Sequence, residues 1–280
     1  MKRFNLIFCA SMMLGTVACI KDVPTDDTSS DTGESDTDTD TDTDTDTDTD
    51  TDTDTDTDTD TDTDLDISQD CTSDASNLCA LQTGAYALDD EVVVTGLLAH
   101  DASKYGFYMV APEGGAWRGV WVYTSSANTQ EGVLAMGDDV TVTGIYKEYD
   151  FNGQGGGMTL TELEALLPEN IVLNSSGNVV PTPQLVTSSD LADGEIAEAL
   201  ESTLVRLESA TVTNAAPDNY GSWIVEGTQY IGPVLLPAPE GLADGDTFEA
   251  IQGVFANHYG ADKIFPRSES DLEGWSGSAE

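Results

Sequence analysis

The chain has 280 residues, 53 of them acidic and nine basic, which gives a formal charge of −44. Residues 22–70 hold 22 of the acids and no Lys or Arg, yet residues 71–280 still carry 31 acids against six bases (Lys104, Arg118, Lys147, Arg206, Lys263, Arg267), a balance of −25. Such a surface repels nucleic-acid backbones and anionic lipid, and about 210 residues suffice for one large core or two small ones.

Met1-Lys2-Arg3 opens with two positive charges, and Phe4 to Ala18 is apolar or small apart from Asn5, Ser11 and Thr16. A run this short suits the apolar region of a signal peptide better than a spanning helix. Its end, Leu14-Gly15-Thr16-Val17-Ala18-Cys19, resembles the bacterial lipobox, with Thr16 where that motif prefers Leu. The resemblance implies a signal peptide over 1–18, acylation of Cys19 and a lipid anchor in the membrane. By the same resemblance, Ile20 rather than Asp after the Cys implies the outer membrane. The other reading is an ordinary secretory signal cleaved after Ala18.

From Asp36 to Asp64, Asp and Thr alternate without a break. Neither face of such a strand is apolar, so no sheet is stabilised, and like charges two residues apart stretch the chain. Residues 19–70 are therefore expected to be a disordered acidic tether, able to reach on the order of 150 Å at about 3.3 Å per residue. Its carboxylates suit divalent cations, but without a Gly in the alternation to turn the chain around an ion, binding is expected to be weak and diffuse.

Cys9 leaves with the signal peptide and Cys19 is taken by the anchor. Cys71 and Cys79 remain as a pair in an exported chain, which predicts a disulfide. Their spacing fits no zinc pattern, and His100 and His258 are far apart, so neither a metal site nor a cofactor is expected.

Beyond the cysteines, β-rich runs recur between turn residues: 91–99, 106–110, 119–124 and 139–146, then 203–212, 222–225, 232–236, 247–255 and 263–265. The two series match in order. Tyr105-Gly106 corresponds to Tyr220-Gly221, and Leu134-Ala135-Met136-Gly137-Asp138 to Leu242-Ala243-Asp244-Gly245-Asp246. Thr161-Glu162-Leu163 and Ser270-Asp271-Leu272 close the two units. An internal duplication follows. A first domain is expected over 71–173, a Pro/Ser/Gly-bearing linker over 174–189, a second domain over 190–273 opening with a short helix at 191–200, and a tail over 274–280. Five short strands per unit fit the OB barrel, so the predicted fold is all-β, two tandem OB-like five-stranded barrels.

Leu204 to Thr213, Gly245-Asp246, Gly253-Val254-Phe255 and above all Lys263-Ile264-Phe265-Pro266-Arg267-Ser268 resemble bacterial OB-fold modules. These accompany secreted nucleases of the endonuclease/exonuclease/phosphatase superfamily. The resemblance spans roughly 83–271 and implies nucleic-acid binding, without any counterpart of the nuclease domain. The basic groove such binding needs is missing.

Alternation places Phe107 and Met109 on one side of their strand and Tyr108 on the other, and Val120 and Val122 opposite Trp121 and Tyr123. With the aliphatic side lining the barrel, Tyr108, Trp121 and Tyr123 project from strands two and three, the usual OB ligand face. Lys104 and Arg118, close in sequence, complete the candidate site. The alternative is that these aromatics pack against the second unit or the Cys71–Cys79 segment. Arg267 is expected to hold the chain end at the barrel, with Asp271 as its partner. No catalytic constellation is found: Gly153 to Gly157 has no following helix to make a phosphate loop, and Gly274-Trp275-Ser276-Gly277 has no strand–helix elbow. The expected function is non-enzymatic binding of a protein or glycan, with nucleic acid as the alternative that the charge disfavours.

Overall fold

The structure is a computed structural model, and the residues it describes are 65, 67–151 and 159–277. The signal peptide, Cys19, the Asp-Thr alternation with its expected cation binding, and Gly153 to Gly157 lie outside them.

A short helix, α1 (Leu78–Gln82), leads into the first barrel. Its strands are β1 (Glu91–Leu98), β2 (Gly106–Val110), β3 (Gly119–Tyr123), β4 (Asp139–Tyr149) and β5 (Leu160–Glu164), with β6 (Ile171–Ser175) added outside β4. The order is β1-β2-β3-β5-β4, and β4 pairs back onto β1 to close the barrel. Only the β3–β5 pair is parallel. The β-branched alternation explains this closure: Val92, Val94, Val120, Val122, Val140 and Val142 all point inward with Phe107 and Met109, while Leu78 and Leu81 of α1 plug one end.

The second barrel repeats the plan. A parallel edge strand β7 (Gln184–Val186) and two short helices, α2 (Ser188–Ala192) and α3 (Gly194–Ala199), precede β8 (Leu204–Asn214), β9 (Trp223–Val225), β10 (Gln229–Ile231), β11 (Thr247–Asn257) and β12 (Asp262–Phe265). The order β8-β9-β10-β12-β11 closes through β8–β11, and β10–β12 is the parallel pair. A last strand, β13 (Leu272–Glu273), lies on β11. Both barrels belong to one compact unit and both have the OB strand order.

The repeated Leu-Ala-x-Gly-Asp sequence makes the same turn twice. Gly137 and Gly245 sit at φ +82° and +93°, a left-handed backbone that a side chain would strain. Each following Asp bonds back to the turn: Asp138 Oδ2 accepts from Ala135 N–H at 2.9 Å and Asp246 Oδ2 from Ala243 N–H at 3.1 Å. The carbonyls of Asp138 and Asp246 then accept from Leu98 and Val212, tying strand four of each barrel to strand one.

Four expectations are corrected. The strand placed at 232–236 is instead Gln229–Ile231. Gly232 N–H makes the last ladder bond, to Ile264 O, and Pro233 has no N–H to continue it. Thr161 to Leu163 does not correspond to Ser270 to Leu272. It belongs to β5, the equivalent of β12 in the first barrel, and the counterpart of the Ser270 segment is the turn at Pro168–Asn170 with β6. The expected linker 174–189 is partly structure: Asn174 and Ser175 end β6, Gln184–Val186 is β7, and Ser188 opens α2 under a Thr187 cap, which leaves 176–183 as the connection. The two short helices replace the single one expected at 191–200 because Asp193 leaves the helical region and caps α3.

Both ends of the described region are also fastened. Leu65 and Ile67, placed in the tether by sequence, pack against the second core, and Trp117 Nε1 donates to Ile67 O at 2.8 Å. Cys71 and Cys79 form a disulfide with Cα atoms 5.4 Å apart. In the expected tail, Trp275 stacks on Phe248 and donates to Asp246 Oδ2 at 3.0 Å. Arg267 holds the buried Asp271 through two 2.8 Å bonds, and Gln252 completes the carboxylate.

Candidate ligand-binding cleft

The two barrels share a third apolar cluster. Leu97, Tyr108, Val110 and Leu160 of the first meet Leu204, Val254 and Phe265 of the second. Gly119 lies so close to Ser202 O that an added Cβ would stand 2.2 Å away, and Arg267 reaches Ala99 O across the same seam. Beside this seam, a cleft of about 500 Å³ opens between β2, β3 and β5 of the first barrel and Val234 and His258 of the second.

Strand register builds its wall. Tyr108 of β2 stands opposite Trp121 of β3, Trp121 opposite Glu162 of β5, and Tyr123 opposite Glu164. Because cross-strand partners share a face, this gives two outward rows, Tyr108–Trp121–Glu162 and Tyr123–Glu164. The Tyr108 and Trp121 rings lie 4.7 Å apart at 56°. On the far side Tyr149 and Phe151 meet edge to face at 4.8 Å, and Phe151 meets His258 at 5.0 Å.

Tyr108, Trp121 and Tyr123 all line this cleft, with Tyr108 serving mainly as wall and seam: it is 4% exposed and stacks towards Phe265 at 6.4 Å. All of β2 is buried, so the face expected to be open on β2 is covered by the second barrel. Lys104 stays at the rim, its ammonium 5.1 Å above the Tyr105 ring. Arg118 is not brought to the cleft. It sits just before β3, where it binds Ala116 O, Asp70 O and Glu113, because the chain before the disulfide folds over that end of the strand.

The sequence reading missed Glu162, Glu164, Tyr149, Phe151 and His258. Leu160-Thr161-Glu162-Leu163-Glu164 carries the signal for two of them, since alternation puts both Glu side chains outward once the segment is a strand. His258 and Phe151 meet only through the packing of one barrel on the other.

Glu162 is 6% exposed, and among the described residues neither it nor Glu164 has a hydrogen-bond or ion-pair partner. Lys147, opposite Glu162 across β4–β5, is turned to Asp89. Burial first, and then the charge of Glu164, push the Glu162 carboxyl up to about 7, against the pull of Lys147. His258 is held neutral, its pKa lowered to about 4 by burial and by Lys263. The other histidine, His100, is buried and lowered to about 4; its Nε2 accepts from Tyr108 N–H at 3.1 Å, which fixes β2 rather than serving chemistry.

A smaller cavity of about 140 Å³ lies between α3 and the ends of β11 and β12, lined by Glu198, Glu201 and Asp262. Burial raises all three carboxyl pKa values. Glu201 Oε2 accepts from Thr161 N–H at 2.9 Å across the seam. Among the described residues no three His, Cys, Asp or Glu are grouped to hold a metal ion, and no helix is long and apolar enough to cross a membrane.

No protein-family model matches the chain, and no curated protein matches it. Among solved structures it is similar to a deletion mutant of the single-stranded DNA binding protein from Thermus aquaticus, at 13% identity over 70% of this chain and 97% of that one, with a TM-score of 0.25. The wild-type form of that protein matches at 14% identity over 69% and 95%, with a TM-score of 0.20. The OB assignment rests on the strand order and pairing of the two barrels.

Proposed function

We propose that the chain is a non-enzymatic binding protein, lipid-anchored at the outer membrane through Cys19 and carrying its tandem barrels on an acidic tether, with its protein or glycan ligand engaging the cleft beside the barrel seam. The observation that carries this reading is the cleft itself: aromatic rings set by strand register, two outward carboxylates without partners among the described residues, and room for a side group of a larger ligand. Aromatic faces with a few polar groups are the usual make-up of a recognition site.

The same rings could stack bases, as OB barrels do. Two observations weigh against that. Phosphate neutralisation supplies most non-specific affinity for DNA, and the cleft offers Glu162 and Glu164 where a phosphate would need cations. Residues 71–280 also carry only six bases among 31 acids.

A titration of the whole protein with single-stranded DNA at low salt, followed by tryptophan fluorescence, tests the choice. The expected result is no binding in the wild type. Saturable binding that is lost in Trp121→Ala would place nucleic acid in the cleft and overturn the protein or glycan reading.

A further inference from the structure

The two barrels carry the same outward row, and the pair differs in one informative way. In the first barrel the row is Tyr108–Trp121–Glu162, across strands two, three and five. In the second, the row at the equivalent strands is Ile224–Tyr230–Lys263. There the ammonium of Lys263 lies 5.7 Å from the Tyr230 ring centre and donates to Ser222 Oγ at 3.1 Å. So the second barrel supplies its own ammonium to its aromatic row. The first has a richer aromatic wall, places a carboxylate where the second has the lysine, and keeps its own lysines elsewhere, with Lys147 on Asp89 and Lys104 over Tyr105.

Resting on the cleft as the ligand site, we infer that its occupant is a lysine side chain presented by a basic segment of a partner protein. The aliphatic stem would lie along Trp121, Tyr123 and Leu160, and the ammonium would meet Glu162 and Glu164 at the β5 wall. Three independent features point to this chemistry. Glu162 is more than nine-tenths buried, lines the cleft, and has no partner among the described residues. An ammonium over aromatic faces is attracted by the ring quadrupole, the more so when desolvated. The balance of −25 over residues 71–280 steers a basic partner towards the barrels.

Ionisation of Glu162 couples to binding. With its pKa near 7 in the free protein, the carboxyl is largely protonated below that pH and must lose its proton to pair with an ammonium. The groups facing it are Glu164, which raises it, and Lys147, which lowers it; His258 across the cleft is neutral and adds no competing charge. Binding should therefore tighten as pH rises from about 6 to about 8, with a proton released.

The test uses the whole protein and three capped pentapeptides, Gly-Gly-X-Gly-Gly, with X as lysine, Nε-acetyl-lysine or norleucine, followed by calorimetry at about pH 8. The lysine peptide should bind at least about tenfold more tightly than either neutral peptide. Glu162→Gln should remove that margin and flatten the pH dependence, with unchanged circular dichroism as the check on folding. Equal affinity of the norleucine and lysine peptides would overturn the ammonium inference while leaving the cleft as a binding site. Lysine-peptide affinity unchanged in Trp121→Ala would remove the cleft as the site altogether. Tighter binding of glucosamine than of the lysine peptide, or no peptide binding at millimolar concentration, would also overturn the inference.

Discussion

The two barrels share a strand order, a turn and a closing device, yet their outer faces on strands two, three and five have different chemistry. The second barrel's row is self-contained: Ile224, Tyr230 and Lys263 satisfy one another, and Lys263 is buried on Ser222. The first barrel's row is aromatic and acidic, and it leaves Glu162 without a partner among the described residues at the wall of a cleft. The two barrels have in common what closes a barrel, namely inward apolar alternation and the Gly137 and Gly245 turns. They differ at the outward positions, which closure does not constrain. Five substitutions and a change of pH would break or sharpen this contrast.

The largest effect is expected at Tyr108. Its ring fills the seam between Trp121 and Phe265, so Tyr108→Ala should cost about 3–4 kcal/mol in denaturant unfolding. The matching change in the second barrel, Ile224→Ala, removes a half-buried side chain and should cost no more than about 1 kcal/mol. Equal losses would mean that the two faces are equally structural.

Next is Glu162→Lys, which gives the first row the ammonium that the second already has. It should lower lysine-peptide affinity at least about tenfold, read by the same calorimetry. Retained affinity would mean that the row does not hold the ligand.

Acidification comes third. Glu162, Glu198, Glu201 and Asp262 have carboxyl pKa values raised in the folded state by burial. Groups shifted upward stabilise the fold fully below their unfolded values and lose that contribution as pH rises through the folded ones. The thermal midpoint should therefore rise by a few degrees from about pH 8 to about pH 5.5. Asp271, held low by Arg267, and Asp218, held low by bonds from Ser222 and Tyr220, act in the opposite sense, so stability should fall again as they are protonated below about pH 4. Glu201→Gln keeps an acceptor for Thr161 N–H and should flatten the upper limb.

The smallest effect is expected from Lys263→Met. Lys263 lowers the pKa of His258 and does not line the cleft, so its loss should raise the His258 pKa slightly, followed by NMR titration. Peptide affinity should stay within about twofold.

Most of the barrel architecture is legible in the sequence because inward valines alternate and turn residues recur at matched positions. Tyr108, Trp121 and Tyr123 were legible for the same reason. What alternation does not reveal is what covers an outward face. The burial of Tyr108, the cleft and the place of His258 arise from packing between segments more than 100 residues apart in sequence. Arg118 illustrates the converse: nearness in sequence put it beside Trp121, but it lies just before β3, three residues from Trp121, and the segment around Asp70 and Glu113 captured it. Glu162 and Glu164 were hidden because their segment was matched to Ser270-Asp271-Leu272 instead of to β12.

Trp121 is where the ligand is expected to enter the cleft. The protein has four tryptophans, at 117, 121, 223 and 275, so indole ¹⁵N-labelled protein gives four resonances, with Trp121 assigned from Trp121→Phe. Trp117 and Trp223 are buried, and Trp275 is 42% exposed at the chain end, which makes it an internal control for surface binding. Titration with the lysine pentapeptide at about pH 8 should shift the Trp121 indole progressively and leave the Trp275 signal in place. A shift confined to Trp275, or none at Trp121 when the peptide is bound, would contradict the account.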